Sequence, residues 1–190
     1  MPAHEEAIAL RRFDEENARD PHQYELRYAE WLSEWVRRLA PDASEALRLA
    51  ARCQHLCRWE IPRSSYEMTR AGYLKWRAEL KKFHARKSAE ILTEAGYGAE
   101  MIERVQALNL KQNLGRDPEM QVLEDALCLV TLEHQLAELM AKHDEEKMLG
   151  ILRKTWKKMS PAGHEAALGL PYSEAQLALI QKALAEEQAS

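Results

Sequence analysis

Residues 118–142 constrain this chain more tightly than any other stretch. Asp117-Pro118 is a standard helix start. Val122, Leu123, Leu127, Leu129, Val130, Leu132, Leu136, Leu139 and Met140 follow at helical spacing. Over 126–132 the apolar character runs nearly all the way round. A helix of that kind is stable in water only when neighbours cover it on every side. The stretch is therefore predicted to be the central, buried helix, and the rest of the chain must jacket it.

The patterning of the rest makes that jacket helical. Tyr24, Leu26, Tyr28, Trp31, Leu32, Trp35, Val36 and Leu39 form an i, i+4, i+7, i+11 stripe over 22–40, ended by Pro41. A shorter amphipathic helix is expected over 4–18, ending near Asp20-Pro21. Asp42 or Ser44 can cap a helix over 43–57. A loop from Glu60 is expected to reach Met68 or Thr69, and Thr69 can cap a long helix over 70–95 that stops at Gly96-Tyr97-Gly98. Helices over 99–109, 145–158, 161–168 and 174–187 complete the reading. Gly and Pro number only seven each, and good helix formers dominate. The expected fold is all-α: a single compact helical bundle of about eight helices. A chain of 190 residues suits one domain, with a core at about 22–158 and a C-terminal helical extension at 160–188.

Charge and cysteine content narrow the function classes. A net charge of −4 argues against general coating of nucleic acid. The charge is uneven, however, with seven Lys or Arg against one Glu between Arg70 and Lys87. Cys53, Cys57 and Cys128 are odd in number and lack the spacing of a secreted disulfide framework. There is no signal-peptide core and no apolar run near the roughly 20 residues of a membrane span. A reduced, cytoplasmic protein with no membrane partner is expected.

Metal-capable, aromatic and basic residues concentrate between Arg52 and Ser88. His55 and His84 bracket that stretch on helices with apolar faces. Cys53 and Cys57 share one helical face and read as core. Glu124 and Asp125 head the apolar helix, where a carboxylate is costly unless it is paired or binds a metal. Two imidazoles and a carboxylate from separate helices are the donors that a first-row divalent ion takes. Such an ion supplies a nucleophilic water at neutral pH. Arg58, Arg63, Lys75, Lys81 and Lys82 could hold phosphate oxygens. Trp59 and Trp76 could stack on a base, although a Trp at helical spacing is more often core.

The blocks AARCQHLCRWEIPR, Ala71–Arg77, KKFHARKSAEIL, LEDALCLVTLEH and KTWKKMS closely resemble the domain of unknown function 4202 family across nearly the whole chain. That resemblance implies no activity. The order of the blocks is also similar to the HD phosphohydrolase superfamily. Gln54-His55 stands where that superfamily has its His-Asp doublet, His84 fits the second block and Asp125 the third. The first-helix His is absent, with Glu25 or Tyr28 in its region, and the Asp of the doublet is gone. The resemblance implies an HD-like core and a divalent metal ion (Mn, Fe, Zn or Mg) on Glu25, His55, His84 and Asp125. Glu124 or Glu60 would then act as general base or orient the water, and Arg58, Arg63, Lys75, Lys81 and Trp59 would bind substrate.

Two functional expectations follow. One is a metal-dependent phosphohydrolase acting on a small phosphorylated molecule, including a nucleotide. The alternative is a non-catalytic module that holds an anionic metabolite, or less favourably RNA, in the same basic and aromatic pocket. A structural bundle whose polar cluster satisfies only itself is the third reading.

Overall fold

A computed structural model describes residues 2–188. The fold is all-α, and among the described residues no strand forms. The helices are α1 (Pro2–Asn17), α2 (Glu25–Leu39), α3 (Glu45–Cys53), α4 (Arg70–Glu94), α5 (Ala99–Asn109), α6 (Pro118–Val130), α7 (Leu136–Lys142), α8 (Glu145–Lys158), α9 (Pro161–Leu168) and α10 (Glu174–Gln188). They gather into two compact units, residues 1–120 and 121–190.

In the first unit α3 packs on α1, α2 and α5, and α4 packs on α5 and α1. Phe13, Leu32, Leu47, Leu49, Leu56, Leu92 and Leu108 are fully buried and form its core. Helix starts follow local chemistry. The Ser44 hydroxyl accepts from the Leu47 N–H and caps α3, and the Thr69 hydroxyl accepts from the Gly72 N–H and caps α4. Gly72 is required there, because a Cβ would sit 2.2 Å from the Glu67 carbonyl oxygen.

The expected helix over 43–57 stops early, at Cys53. Cys57 adopts a left-handed conformation (φ 55°), and its N–H donates to Asn17 Oδ1 at 3.2 Å. The Leu56 carbonyl accepts from His84 Nδ1 at 2.8 Å. Side chains of α1 and α4 thus take the backbone groups that another helical turn would have used. His55 consequently lies in a turn rather than on a helix.

In the second unit α10 packs on α8, and α8 also meets α7. Leu123, Leu129, Leu136 and Met148 are fully buried. The helix expected over 118–142 is interrupted by a π-helical turn at Thr131–Gln135. The Thr131 hydroxyl donates to the Leu127 carbonyl four residues back, a bond that opens and bends a helix. Full burial extends only to Leu136; Leu139 and Met140 are half-buried and Ala141 is exposed. Ser173 and Gln176 bond reciprocally as a capping box at the start of α10.

Candidate functional site

The 1–120 unit brings four of the predicted site residues together: Glu25, His55, Arg58 and His84. His55 Nδ1 lies 3.9 Å from Glu25 Oε2, and the His55 and His84 ring centroids are 5.9 Å apart. Tyr28 stacks on His55 at 4.2 Å with an interplanar angle of 19°. Glu25 and Tyr28 are three residues apart on α2, so they share one helical face. Asp20 fixes the start of that helix, because its carboxylate accepts from the N–H groups of His22, Tyr24 and Glu25.

The hydrogen bonds settle the tautomers. Arg58 donates a guanidinium N–H to His55 Nε2 at 3.3 Å. A guanidinium has no acceptor, so Nε2 carries the lone pair and the His55 proton sits on Nδ1, facing Glu25. A carbonyl only accepts, so His84 carries its proton on Nδ1 toward Leu56 and presents its Nε2 lone pair.

Electrostatics keep both imidazoles neutral. Burial, then Arg58, His84, Arg77 and Lys111, holds His55 well below the usual histidine range. Burial likewise lowers His84 to about 4, against its bond to Leu56, and Arg58 and Arg77 push the same way. Glu25 moves the other way. Burial raises it to about 7, with the Asp20 charge adding and Arg58 opposing. Its Oε2 is buried without a hydrogen-bond partner.

Three cations therefore act on this cluster. Among the described residues neither Arg58 nor Arg77 reaches a carboxylate within 4.0 Å. Arg58 lies over the Trp76 ring, 5.0 Å from its centroid. Arg77 comes from α4, two turns before His84 and on the same face. Sequence reasoning passed over Arg77, although its seven-residue offset from His84 was a usable signal. It also gave no weight to Tyr28 as a stacking partner.

The other predicted residues make contacts of their own. Arg63 donates to the carbonyls of Tyr66, Glu67 and Thr69 and ties down its own loop. Trp76 is buried, and its indole N–H donates to the Ile61 carbonyl at 2.9 Å. Trp59 is half-buried, with an indole nitrogen that lacks a partner. Glu60 is exposed, 3.6 Å from Lys87 Nζ. Lys75 and Lys82 are exposed and Lys81 is half-buried, all on α4.

Glu124 and Asp125 belong to the 121–190 unit. Glu124 is buried, with Oε1 3.6 Å from Lys158 Nζ. Asp125 is buried against the start of α9. Its Oδ1 accepts from the Ser160 N–H at 2.8 Å and from Gln121 Nε2 at 3.0 Å, and its Oδ2 accepts from the Ser160 hydroxyl. Those bonds account for its burial without a metal.

A divalent ion fits this donor set poorly. Among the described residues no group of three or more His, Cys, Asp or Glu side chains is arranged to share one. His55 spends its lone pair on Arg58, and that places a fixed cation where the ion would bind.

The family model described as Domain of unknown function (DUF4202) matches residues 7–180. The chain belongs to that family. The match spans both units of this DUF4202 chain and every residue of the His55 cluster. No curated protein and no solved structure matches it. No described helix is long and apolar enough to cross a membrane.

The cluster has a pH signature with a definite sign. His84 binds its proton at about 4 when folded and near 6.5 when unfolded, so its contribution to stability falls as pH drops from 6.5 to 4. His55 acts in the same direction. Glu25 is opposite: the folded state holds its proton up to about 7, the unfolded state only to about 4.5. Acidification across that window therefore favours folding through Glu25 and partly offsets the histidines. The Glu25→Gln variant removes the offset. Its stability between pH 6.5 and 4.5 should fall more steeply than that of the unaltered chain, by roughly 1.4 kcal/mol per pH unit. Urea unfolding across that range measures the slope, and equal slopes refute the Glu25 assignment.

Proposed function

We propose that this chain is a binding module for a small anionic molecule, phosphate-bearing by preference, held at the Arg58–His55–His84 cluster. The observation that carries the reading is that Arg58, bonded to His55 Nε2, and Arg77 reach no carboxylate among the described residues, while both charges act on two neutral imidazoles. Guanidinium groups seldom stay unpaired beside a desolvated cluster, and their fork matches phosphate oxygens. An anion bound there would offset the positive field that now disfavours protonation of His55 and His84. His84 offers a further polar contact through Nε2.

The metal-dependent phosphohydrolase is the second reading. Its support is the HD-like order of the blocks, together with a carboxyl group, Glu25, whose pKa of about 7 suits proton transfer at neutral pH. The donor set fits a metal ion poorly, so binding without hydrolysis is the better-supported function.

One experiment separates the two. Chain purified without an affinity tag is assayed for bound metal, and then titrated calorimetrically with inorganic phosphate before and after addition of Mn²⁺ or Mg²⁺. Binding that needs no metal, with no phosphate released from phosphorylated compounds, is the expected result. Stoichiometric metal that is lost in a His84→Ala variant, together with phosphate release, would establish the hydrolase instead.

A further inference from the structure

The cluster has an acidic side as well as a basic one. Glu25 is 7% exposed, its Oε2 has no hydrogen-bond partner, and it faces His55 Nδ1 at a distance too long for a hydrogen bond. Arg58 stands at the opposite edge of the same imidazole, on Nε2. A buried carboxylate oxygen left unbonded carries an uncompensated desolvation cost. Arg58 attracts Glu25 but makes no hydrogen bond to it, so the oxygen itself stays unbonded. Asp20 repels Glu25, and its own oxygens are committed to backbone N–H groups.

A bare phosphate dianion satisfies the arginines and leaves this oxygen as it was. Its negative charge would also be unfavourable one ring's width from a carboxylate. A ligand that carries a positively charged donor beside its anionic group removes both penalties together. We propose that the site selects small zwitterionic ligands, in which a phosphate monoester is joined by a short linker to a primary amine: the phosphate meets Arg58 and the ammonium meets Glu25.

The His55 ring sets the span. Both partner groups lie in contact range of its two nitrogens, so phosphate and amine must be separated by little more than an imidazole. A two-carbon linker matches that, and a bulky linker does not. Tyr28 covers one face of the ring, so the ligand must run past its edge rather than stack on it. Glu25 is then a specificity residue, whereas Arg58 supplies affinity. This inference rests on the anion-binding reading above and adds the chemical identity of the second group.

Calorimetry on the full chain at pH 7.5 with three probes tests it: inorganic phosphate, ethyl phosphate and O-phosphoethanolamine. In the unaltered chain O-phosphoethanolamine should bind about tenfold more tightly than ethyl phosphate, as a charge-assisted hydrogen bond predicts. That comparison needs no variant to fold. In Glu25→Gln the preference should vanish, while ethyl phosphate, relieved of the carboxylate's repulsion, binds at least as tightly as before. Equal affinity for the two esters, or a preference that survives Glu25→Gln, overturns the zwitterion inference and leaves the anion site standing. If none of the three probes binds, or if Arg58→Gln binds all three unchanged, both readings fail.

Discussion

If the anion site is as proposed, replacing Arg58 with Gln should lower the affinity for inorganic phosphate about a hundredfold, the loss expected for two charge-assisted hydrogen bonds. Arg58→Lys keeps the charge but not the planar fork, and should lose about tenfold. Folding should change little. Arg58 makes no ion pair in the described structure, and its contact with Trp76 contributes about 0.5–1 kcal/mol. A second readout separates this role from a purely structural one. Burial, aided by the Arg58 charge against Nε2, holds the His55 imidazole neutral, so in Arg58→Gln the His55 pKa should rise. Histidine ring resonances followed by NMR against pH report it directly. An unchanged phosphate affinity, or an unmoved His55 titration, would remove Arg58 from the site.

The second large effect concerns stability. Asp125→Ala should cost about 3 kcal/mol, because it leaves the Ser160 N–H and hydroxyl and the Gln121 amide without their acceptor. A companion substitution has an unusual sign. Exchanging Gly for Ala inside a helix ordinarily stabilises by roughly 0.5–1 kcal/mol. At Gly163, a Cβ would lie 2.7 Å from Asp125 Oδ1 and 2.8 Å from its carboxyl carbon. Gly163→Ala should therefore destabilise. The double variant Asp125→Ala, Gly163→Ala should cost less than the sum of the two, since removing the carboxylate vacates the space that the methyl needs. Urea unfolding midpoints complete the cycle. Strict additivity, or a stabilising Gly163→Ala, would show that the carboxylate does not pack where the structure places it.

His55, His84, Asp125 and Glu25 were expected to share a metal ion. The donor types suit one, but sequence does not reveal what each atom is already bonded to. Asp125 has its lone pairs taken by Ser160 and Gln121. His55 has its acceptor nitrogen taken by Arg58. Arg63, expected to hold phosphate, is occupied by three carbonyls of its own loop.

The sequence by itself determined the helical class, and nearly every helix start and stop. The reasons are local: a 3.6-residue apolar period, Ser and Thr side chains that bond an N–H two or three residues on, and Pro or Gly where the backbone must turn. It also singled out the Arg52–Ser88 stretch, because clustered His, Arg and Trp are visible in one dimension. Tertiary structure alone decided how that stretch is bonded and buried. Contacts from Asn17 and His84 ended α3 at Cys53 and turned His55 out of the helix. Burial moved Glu25 and the two histidines in opposite directions on the pH scale. Arg77 entered the cluster because two helical turns of α4 carry it to the face of His84. Hydrogen-bond partners and desolvation depend on neighbours distant in sequence, and spacing along the chain does not reveal them.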